Sequence, residues 1–207
     1  MTPDLFPEVY EGLTRLPGFA AGSAPDLFAA VQSIAATAPF RQMVTPWGKP
    51  MSVGMSNCGA AGWVTDRTGY RYTPTDPQTG HPWPPMPEIF RLLAQEAAAQ
   101  GGFPDFTPDA CLINRYAPGA RMTLHQDRNE QDFTAPIVSV SLGLPAVFLW
   151  GGPARTDKPS RILLESGDVL VWGGTARLYF HGILPLTEGE HPLAGRARIN
   201  LTFRKAL

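Results

Sequence analysis

The sequence is poor in cysteine, with only Cys58 and Cys111 among its 207 residues. They form no Cys-x-x-Cys pair. Long apolar runs are also missing. No stretch approaches the ~18 apolar residues of a membrane-spanning helix. The opening Met-Thr-Pro-Asp-Leu-Phe-Pro-Glu is acidic and broken by proline, unlike the basic start and apolar run of an export signal. Both cysteines are therefore expected as reduced thiols, in a cytoplasmic protein with no membrane attachment. Charge is scarce, at 17% of residues against a usual ~25%. The net charge of −1 excludes a basic surface that grips a long stretch of nucleic-acid backbone. The balance is uneven, with 6 basic and 10 acidic side chains over residues 1–110 but 11 and 8 over residues 111–207. An anionic ligand is better placed in the second half.

Glycine and proline, by contrast, are abundant. The 21 glycines and 22 prolines make up about a fifth of the chain against a usual ~12%. Both break helix interiors, which excludes a helix bundle or coiled coil. Two helices are predicted. The first spans 25–38, with Leu27, Val31 and Ile34 on one face and Pro25 and Asp26 in its first turn. The second spans 87–100, with Ile89, Phe90, Leu93 and Ala97 as its apolar stripe and Gly101-Gly102 as its stop. Residues 40–85, rich in Pro, Gly, Thr, Trp, Tyr and Met, carry short strands at 41–45, 50–57 and 70–73. Such a segment is either a loosely packed edge or a functional lid.

From residue 110 onward the pattern is all strand: 110–116, 122–125, 136–143, 146–150, 161–165, 168–172, 177–182 and 197–204, separated by Gly- and Pro-rich turns. Eight strands at this spacing predict a mainly β sandwich or jelly roll whose flanking helices cover one sheet. Residues 1–20 show no pattern and are read as an N-terminal extension to a single domain over 21–207, with 110–205 as its core.

Three constellations carry chemistry. In His125-Gln126-Asp127, positions i and i+2 of an extended segment point the same way, so an imidazole and a carboxylate share one face. A His-x-Asp arises by chance about 0.2 times in a chain of this composition, so spacing alone leaves a surface pair and half a metal site both open. His181, at the end of the apolar run Leu178-Tyr179-Phe180, supplies a third ligand. Two histidines and one carboxylate fill one face of an octahedron, the arrangement of non-haem Fe(II) oxygenases. His191 is the rival third ligand but, like His81, precedes a proline in a loop.

The second constellation is Arg198-Ile199-Asn200-Leu201-Thr202-Phe203-Arg204. Strict alternation puts Ile199, Leu201 and Phe203 on one face, and two guanidiniums bracketing an amide on the other. Arginine clamps carboxylates in a two-pronged fork, and two of them suit a dicarboxylate. The spacing has a chance expectation of about 0.02, so it carries weight. The third constellation is Asn114 and Tyr116, which share a strand face and can complete a carboxylate site.

Together these motifs resemble a known family. Asn114-x-Tyr116-x-Pro118-Gly119, Leu124-His125-x-Asp127, His181 and Arg198-x-Asn200-x-Thr202-x-Arg204 are similar to the AlkB family of Fe(II)- and 2-oxoglutarate-dependent dioxygenases, which demethylate alkylated nucleic-acid bases. The runs 39–46, 109–119 and 137–144 share the likeness, which covers residues 38–205.

The resemblance implies a double-stranded β-helix. It implies that His125, Asp127 and His181 bind iron, and that Arg198 and Arg204 each take one carboxylate of 2-oxoglutarate, helped by Asn114, Tyr116 and Asn200. Segment 40–85 becomes a nucleotide-recognition lid. Trp63 would stack on a flipped base opposite His181, with Thr45, Met51, Ser52, Tyr70 and Tyr72 near the substrate's phosphates or base and Arg155 on the substrate side of the second half. A base extruded from a strand needs such a stacking platform. The bland alternative is a satellite core under a loop.

The family pattern has an acidic residue two positions after the metal-binding aspartate, near the damaged base. Here that position is Asn129, followed by Glu130, which is an alternative source of the charge. The expected reaction consumes O2 and 2-oxoglutarate and releases succinate, CO2 and formaldehyde. The expected substrates are 1-methyladenine- and 3-methylcytosine-type lesions in single-stranded DNA, with double-stranded DNA and RNA as further partners. The expected state is a monomer with no obligate protein partner, acting in repair of DNA alkylation damage. A related dioxygenase acting on tRNA, protein or a small molecule is the second reading. A binding module without chemistry is the third, and the intact triad and arginines argue against it.

Overall fold

Apolar spacing and strand alternation are expressed largely where the sequence places them. The computed structural model describes residues 8–207. In chain order its elements are β1 (Glu8–Tyr10), β2 (Leu13–Leu16), α1 (Ala24–Thr37), β3 (Arg41–Val44), β4 (Pro50–Gly59), β5 (Gly62–Asp66), β6 (Gly69–Thr73), α2 (Glu88–Gln100), β7 (Ala110–Tyr116), β8 (Met122–His125), β9 (Ile137–Gly143), β10 (Ala146–Trp150), β11 (Ser160–Leu164), β12 (Val169–Trp172), β13 (His181–Ile183) and β14 (Arg198–Arg204). Every strand pairing is antiparallel. The larger sheet has the order β1-β2-β12-β9-β14-β7-β4-β3, the smaller β11-β10-β13-β8, and β5-β6 is a separate hairpin.

Two apolar layers hold these sheets. On one face of the larger sheet, Ile113, Val138, Val140, Ile199, Leu201 and Phe203 pack against Leu27, Val31 and Ile34 of α1 and Phe90, Leu93 and Ala97 of α2. Phe90 meets Phe203 edge to face, with ring centres 5.7 Å apart, a geometry that the ring quadrupoles favour. On the other face, Leu13, Ile137, Leu170 and Trp172 pack against Phe148, Trp150, Ile162, Leu164 and Ile183 of the smaller sheet. The result is a jelly roll with both helices on one side. Cys58 and Cys111 face each other in register across β4 and β7, buried and unbridged. Among the described residues, no helix is long and apolar enough to cross a membrane.

The structure departs from the sequence reading at three places. Residues 177–180 are not a strand. A 3-10 turn occupies Gly174–Ala176, and Arg177 then donates to the carbonyls of Ala135 (3.1 Å) and Asp127 (2.9 Å). Holding that guanidinium inside keeps the backbone curled until pairing resumes at His181. Within residues 1–20, Leu13–Leu16 pairs with β12 and so belongs to the larger sheet. Arg15 reaches Asp168 at 2.9 Å, and the Gly18 N–H donates to the same carboxylate. Residues 1–7 of the expected extension lie outside the described residues. Finally, β5 falls in a stretch read as loop.

Candidate active site

Two strand ends and the loop after one of them bring the triad together. His125 closes β8, His181 opens β13, and the two are paired in register. Asp127 lies two residues beyond His125. The three ligand atoms lie within 4.8 Å of one another. Asp127 Oδ1 is 3.7 Å from His125 Nε2, and Oδ2 is 3.8 Å from His181 Nε2. Those gaps are too long for hydrogen bonds but suit one ion with bonds of about 2.1 Å. Each imidazole Nδ1 sits against a backbone carbonyl, Thr123 O at 2.9 Å and Tyr179 O at 3.0 Å. Donation from Nδ1–H there leaves the Nε2 lone pair facing Asp127. Burial beside Trp172 and Phe148, with His125 adjacent, pushes the His181 pKa down to about 4. It is therefore a neutral ligand at physiological pH. The donor set fits a divalent iron. His191 forms a separate bridge with Gly195.

Gly182 makes this register possible. A Cβ there would lie 2.7 Å from Met122 O and 3.2 Å from Leu124 N.

Asp127 sits at the edge of a buried charge cluster. Arg204 donates to its Oδ2 from Nη2 (2.6 Å) and Nε (3.1 Å). Arg204 also lies 3.3 Å from Glu130, which in turn is 3.2 Å from Arg177 and accepts from the Tyr72 hydroxyl at 2.7 Å. Burial alone would raise the Asp127 carboxyl. Arg204 and the two imidazoles outweigh it and hold the group well below the usual carboxylate range. Arg204 is thus engaged with Asp127 and Glu130, so it is not a clamp with all its donors open.

Arg198 differs. It is buried, and its Nε and Nη1 have no hydrogen-bond partner. Nη2 donates to Ser141 Oγ at 2.8 Å, and the guanidinium lies 5.1 Å from the centre of the Tyr116 ring. Leaving two such donors unmet in a protein interior costs several kcal/mol, so a site of this kind calls for an anion. Asn114 Oδ1 is likewise unmet. The amide of Asn200 is fixed on Ser139 Oγ (2.8 Å) and Val140 O (3.1 Å). Arg198, Asn114, Asn200, Tyr116, Thr202 and Arg204 all line one cavity with the triad. A dicarboxylate fits this set.

The cavity measures about 650 Å³. Thr45, Met51, Trp63, Tyr70, Asn129 and Arg155 line it. Trp63 is held at its backbone, where the Asn57 side chain donates to its carbonyl and accepts from its N–H, both at 3.0 Å. Its ring stacks on Tyr70 with centres 5.7 Å apart. Arg155 lies over Phe180 at 5.4 Å.

Two residues of the implied set lie outside this lining. Tyr72 does not line the cavity, because its hydroxyl is spent on buried Glu130. Ser52 does not line it either, since its Oγ exchanges hydrogen bonds with Arg121 O (3.0 Å) and Arg121 N (3.1 Å). Glu130 cannot supply charge to a base, being 6% exposed and held by Tyr72, Arg177 and Arg204. Sequence reasoning missed Trp47, Met55, Met122, Phe148, Trp172 and Phe180 as lining residues. Apolar side chains in strands and turns read as core, and only the closure of one sheet over the other turns them toward a cavity.

A jelly roll that gathers two imidazoles and a carboxylate beside an unmet arginine defines a non-haem iron oxygenase that takes an anionic co-substrate. The sequence model of the "2OG-Fe(II) oxygenase superfamily" matches residues 12–204. The "Alpha-ketoglutarate-dependent dioxygenase AlkB" of Escherichia coli (strain K12) is 58% identical over 195 residues, which is 94% of this chain and 90% of that protein. The "tRNA demethylase abh1" of Schizosaccharomyces pombe is 29% identical over 76% of this chain and 56% of that protein. Among solved structures, "The structure of OsALKBH1" superposes with a TM-score of 0.83 at 30% identity, covering 97% of this chain and all of that one. The chain belongs to the 2OG-Fe(II) oxygenase superfamily and, within it, to the AlkB family of dioxygenases. Its cofactors are Fe(II), 2-oxoglutarate and O2.

Proposed function

We propose that this dioxygenase removes methyl groups from ring nitrogens of alkylated bases, of the 1-methyladenine and 3-methylcytosine type. The substrate would be single-stranded DNA, with double-stranded DNA and RNA as further substrates, in repair of alkylation damage by a cytoplasmic monomer. The observation that carries the reading is one cavity shared by the His125, Asp127 and His181 triad, the unmet donors of Arg198 and the stacked Trp63–Tyr70 pair. The AlkB name of the Escherichia coli relative supports it. On this reading the chain from β2 onward is one catalytic domain, with 110–205 its core and 40–85 its lid.

His125, Asp127 and His181 would hold the iron. When bound, iron and 2-oxoglutarate supply the oxidant that hydroxylates the methyl carbon, as O2 is consumed and 2-oxoglutarate becomes succinate and CO2. Arg198 takes one carboxylate of 2-oxoglutarate through its two open donors. Arg204 meets the other carboxylate while orienting Asp127. Trp63 stacks on the extruded base and thereby sets the methyl group against the triad. Phe148 and Trp172, packed on His181, keep bulk water from that side. The N-hydroxymethyl product then expels formaldehyde and leaves the ring nitrogen unsubstituted.

A tRNA substrate is the second reading, favoured by the name of the yeast relative. Succinate release tests both. Iron-dependent release should rise when a methylated DNA oligonucleotide is added. A rise with methylated tRNA alone would transfer the activity to that substrate, and no rise with any methylated nucleic acid would overturn the reading.

A further inference from the structure

One feature of the cavity mouth lies outside the base pocket. Trp47 is 80% exposed, yet its side chain lines the same cavity as Trp63 and the triad. A single exposed aromatic needs no explanation by itself. Trp47, however, is presented by a built turn. Pro46 precedes it, and the Gly48 N–H donates to Thr45 O at 2.8 Å. Gly48 then takes a left-handed φ of 77°, which returns the chain so that the Thr45 N–H donates to Lys49 O at 2.8 Å and the Lys49 N–H to Thr45 Oγ1 at 3.2 Å. This three-residue loop, with glycine in the left-handed conformation it requires, joins β3 to β4 and carries Trp47 near its tip. The indole stands exposed at the rim.

The rim around it is cationic. Lys49 follows in the chain, and Arg67 Nη2 comes within 3.9 Å of the Cβ position of Gly48. Arg121 is tied to the start of β4 through Ser52, and Arg128 lines the cavity. Among the described residues, none of these four has an acidic partner within ion-pair distance. Asp66, next to Arg67, is already taken by Arg71 and Thr68. An exposed aromatic on a hairpin that also carries Lys49 and approaches Arg67, at the mouth of a cavity lined by Arg128, suits a nucleobase and its phosphates.

We propose that Trp47 is a second stacking platform, which takes the base adjacent to the extruded one and so makes recognition extend beyond a single nucleotide. The proposal rests on the nucleic-acid reading above. Trp63 receives the lesion inside the cavity. Trp47, at the mouth, covers the face of the neighbouring base that extrusion leaves exposed, while Lys49, Arg67 and Arg128 offer charge to flanking phosphates. This device binds a strand, not a free nucleotide, and it tolerates any neighbouring base because every base has a flat face.

The test is a binding cycle by fluorescence anisotropy. It uses a short single-stranded oligonucleotide carrying one 1-methyladenine, and versions with an abasic site immediately 5′ or 3′ of the lesion. Wild type should bind one abasic version roughly 5- to 150-fold more weakly than the intact strand, the range expected of one stacked base. Trp47→Ala should bind the intact strand more weakly by a similar factor and lose its sensitivity to the abasic site, while Trp47→Phe keeps most of both. Equal thermal unfolding of the three proteins excludes a folding defect. If Trp47→Ala remained as sensitive to the abasic site as wild type, or bound the intact strand as tightly, the platform would be refuted. If wild type itself failed to prefer the methylated strand over the unmethylated one, the nucleic-acid reading would fall, and this proposal with it.

Discussion

Trp63 Nε1 donates to Asn129 Oδ1 across 3.2 Å and so joins the β5–β6 hairpin to the loop that follows Asp127. The family pattern has a carboxylate where this amide stands. A methyl group at N1 of adenine or N3 of cytosine makes the base cationic, and an amide offers it no charge. Charge-assisted hydrogen bonds are roughly twice as strong as neutral ones. Asn129→Asp should therefore raise the preference for a cationic lesion over neutral ethenoadenine several-fold, or about 1 kcal/mol. The ratio of kcat/KM values for the two lesions measures this. Glu130→Gln should lower the melting temperature and leave the ratio unchanged, because Glu130 is buried against Tyr72, Arg177 and Arg204.

Arg198→Lys keeps the charge but not the planar fork, and its Nε and Nη1 are the open donors. The dissociation constant for 2-oxoglutarate, measured calorimetrically with Mn(II) in place of iron, should rise about 5- to 150-fold, a loss of about 1–3 kcal/mol. An unchanged constant would remove Arg198 from the co-substrate site.

Arg204→Met strips Asp127 of the cation that offsets its burial. In the wild type the folded carboxyl titrates below its unfolded value of about 3.9, so its contribution to stability is complete above about pH 5 and lost as pH falls toward the folded value. Without Arg204, burial is far less opposed, the folded carboxyl moves above its unfolded value, and protonation relieves the lone buried charge as pH falls. The denaturant midpoint of the metal-free variant should therefore lie further below that of wild type at pH 7 than at pH 5. The variant should be about 3–5 kcal/mol less stable at pH 7, the typical cost of leaving a buried charge alone.

Gly182→Ala brings a methyl group against Met122 O and Leu124 N. β13 must then move from β8, and His181 from His125. Metal affinity should fall at least about tenfold, as it does when ligand orientation is disturbed elsewhere. Titration of Mn(II) by its paramagnetic effect on water relaxation measures this, and unaltered affinity would mean that the register is free to adjust.

The alternation of 198–204 was legible because one face carries only apolar groups and the other only polar ones. The sequence did not reveal that both faces are buried, one against the helices and the other against the cavity. The triad was legible from residue type. Its closeness depends on the pairing of β8 with β13, which no local pattern encodes. The run Leu178-Tyr179-Phe180 reads as strand by composition, yet it curls because Arg177 is anchored on Ala135 and Asp127, which are distant in sequence. Tyr72 and Trp63 look alike as lid aromatics. Only the buried Glu130 decides that Tyr72 turns inward.

The central claim is tested most directly by the mass of the substrate strand. A single-stranded DNA oligonucleotide bearing one 1-methyladenine, incubated with enzyme, Fe(II), 2-oxoglutarate and O2, should lose the mass of one CH2 group and release one equivalent of formaldehyde. His181→Ala should do neither. A strand of unchanged mass, in a reaction where 2-oxoglutarate is nonetheless consumed, would contradict the account.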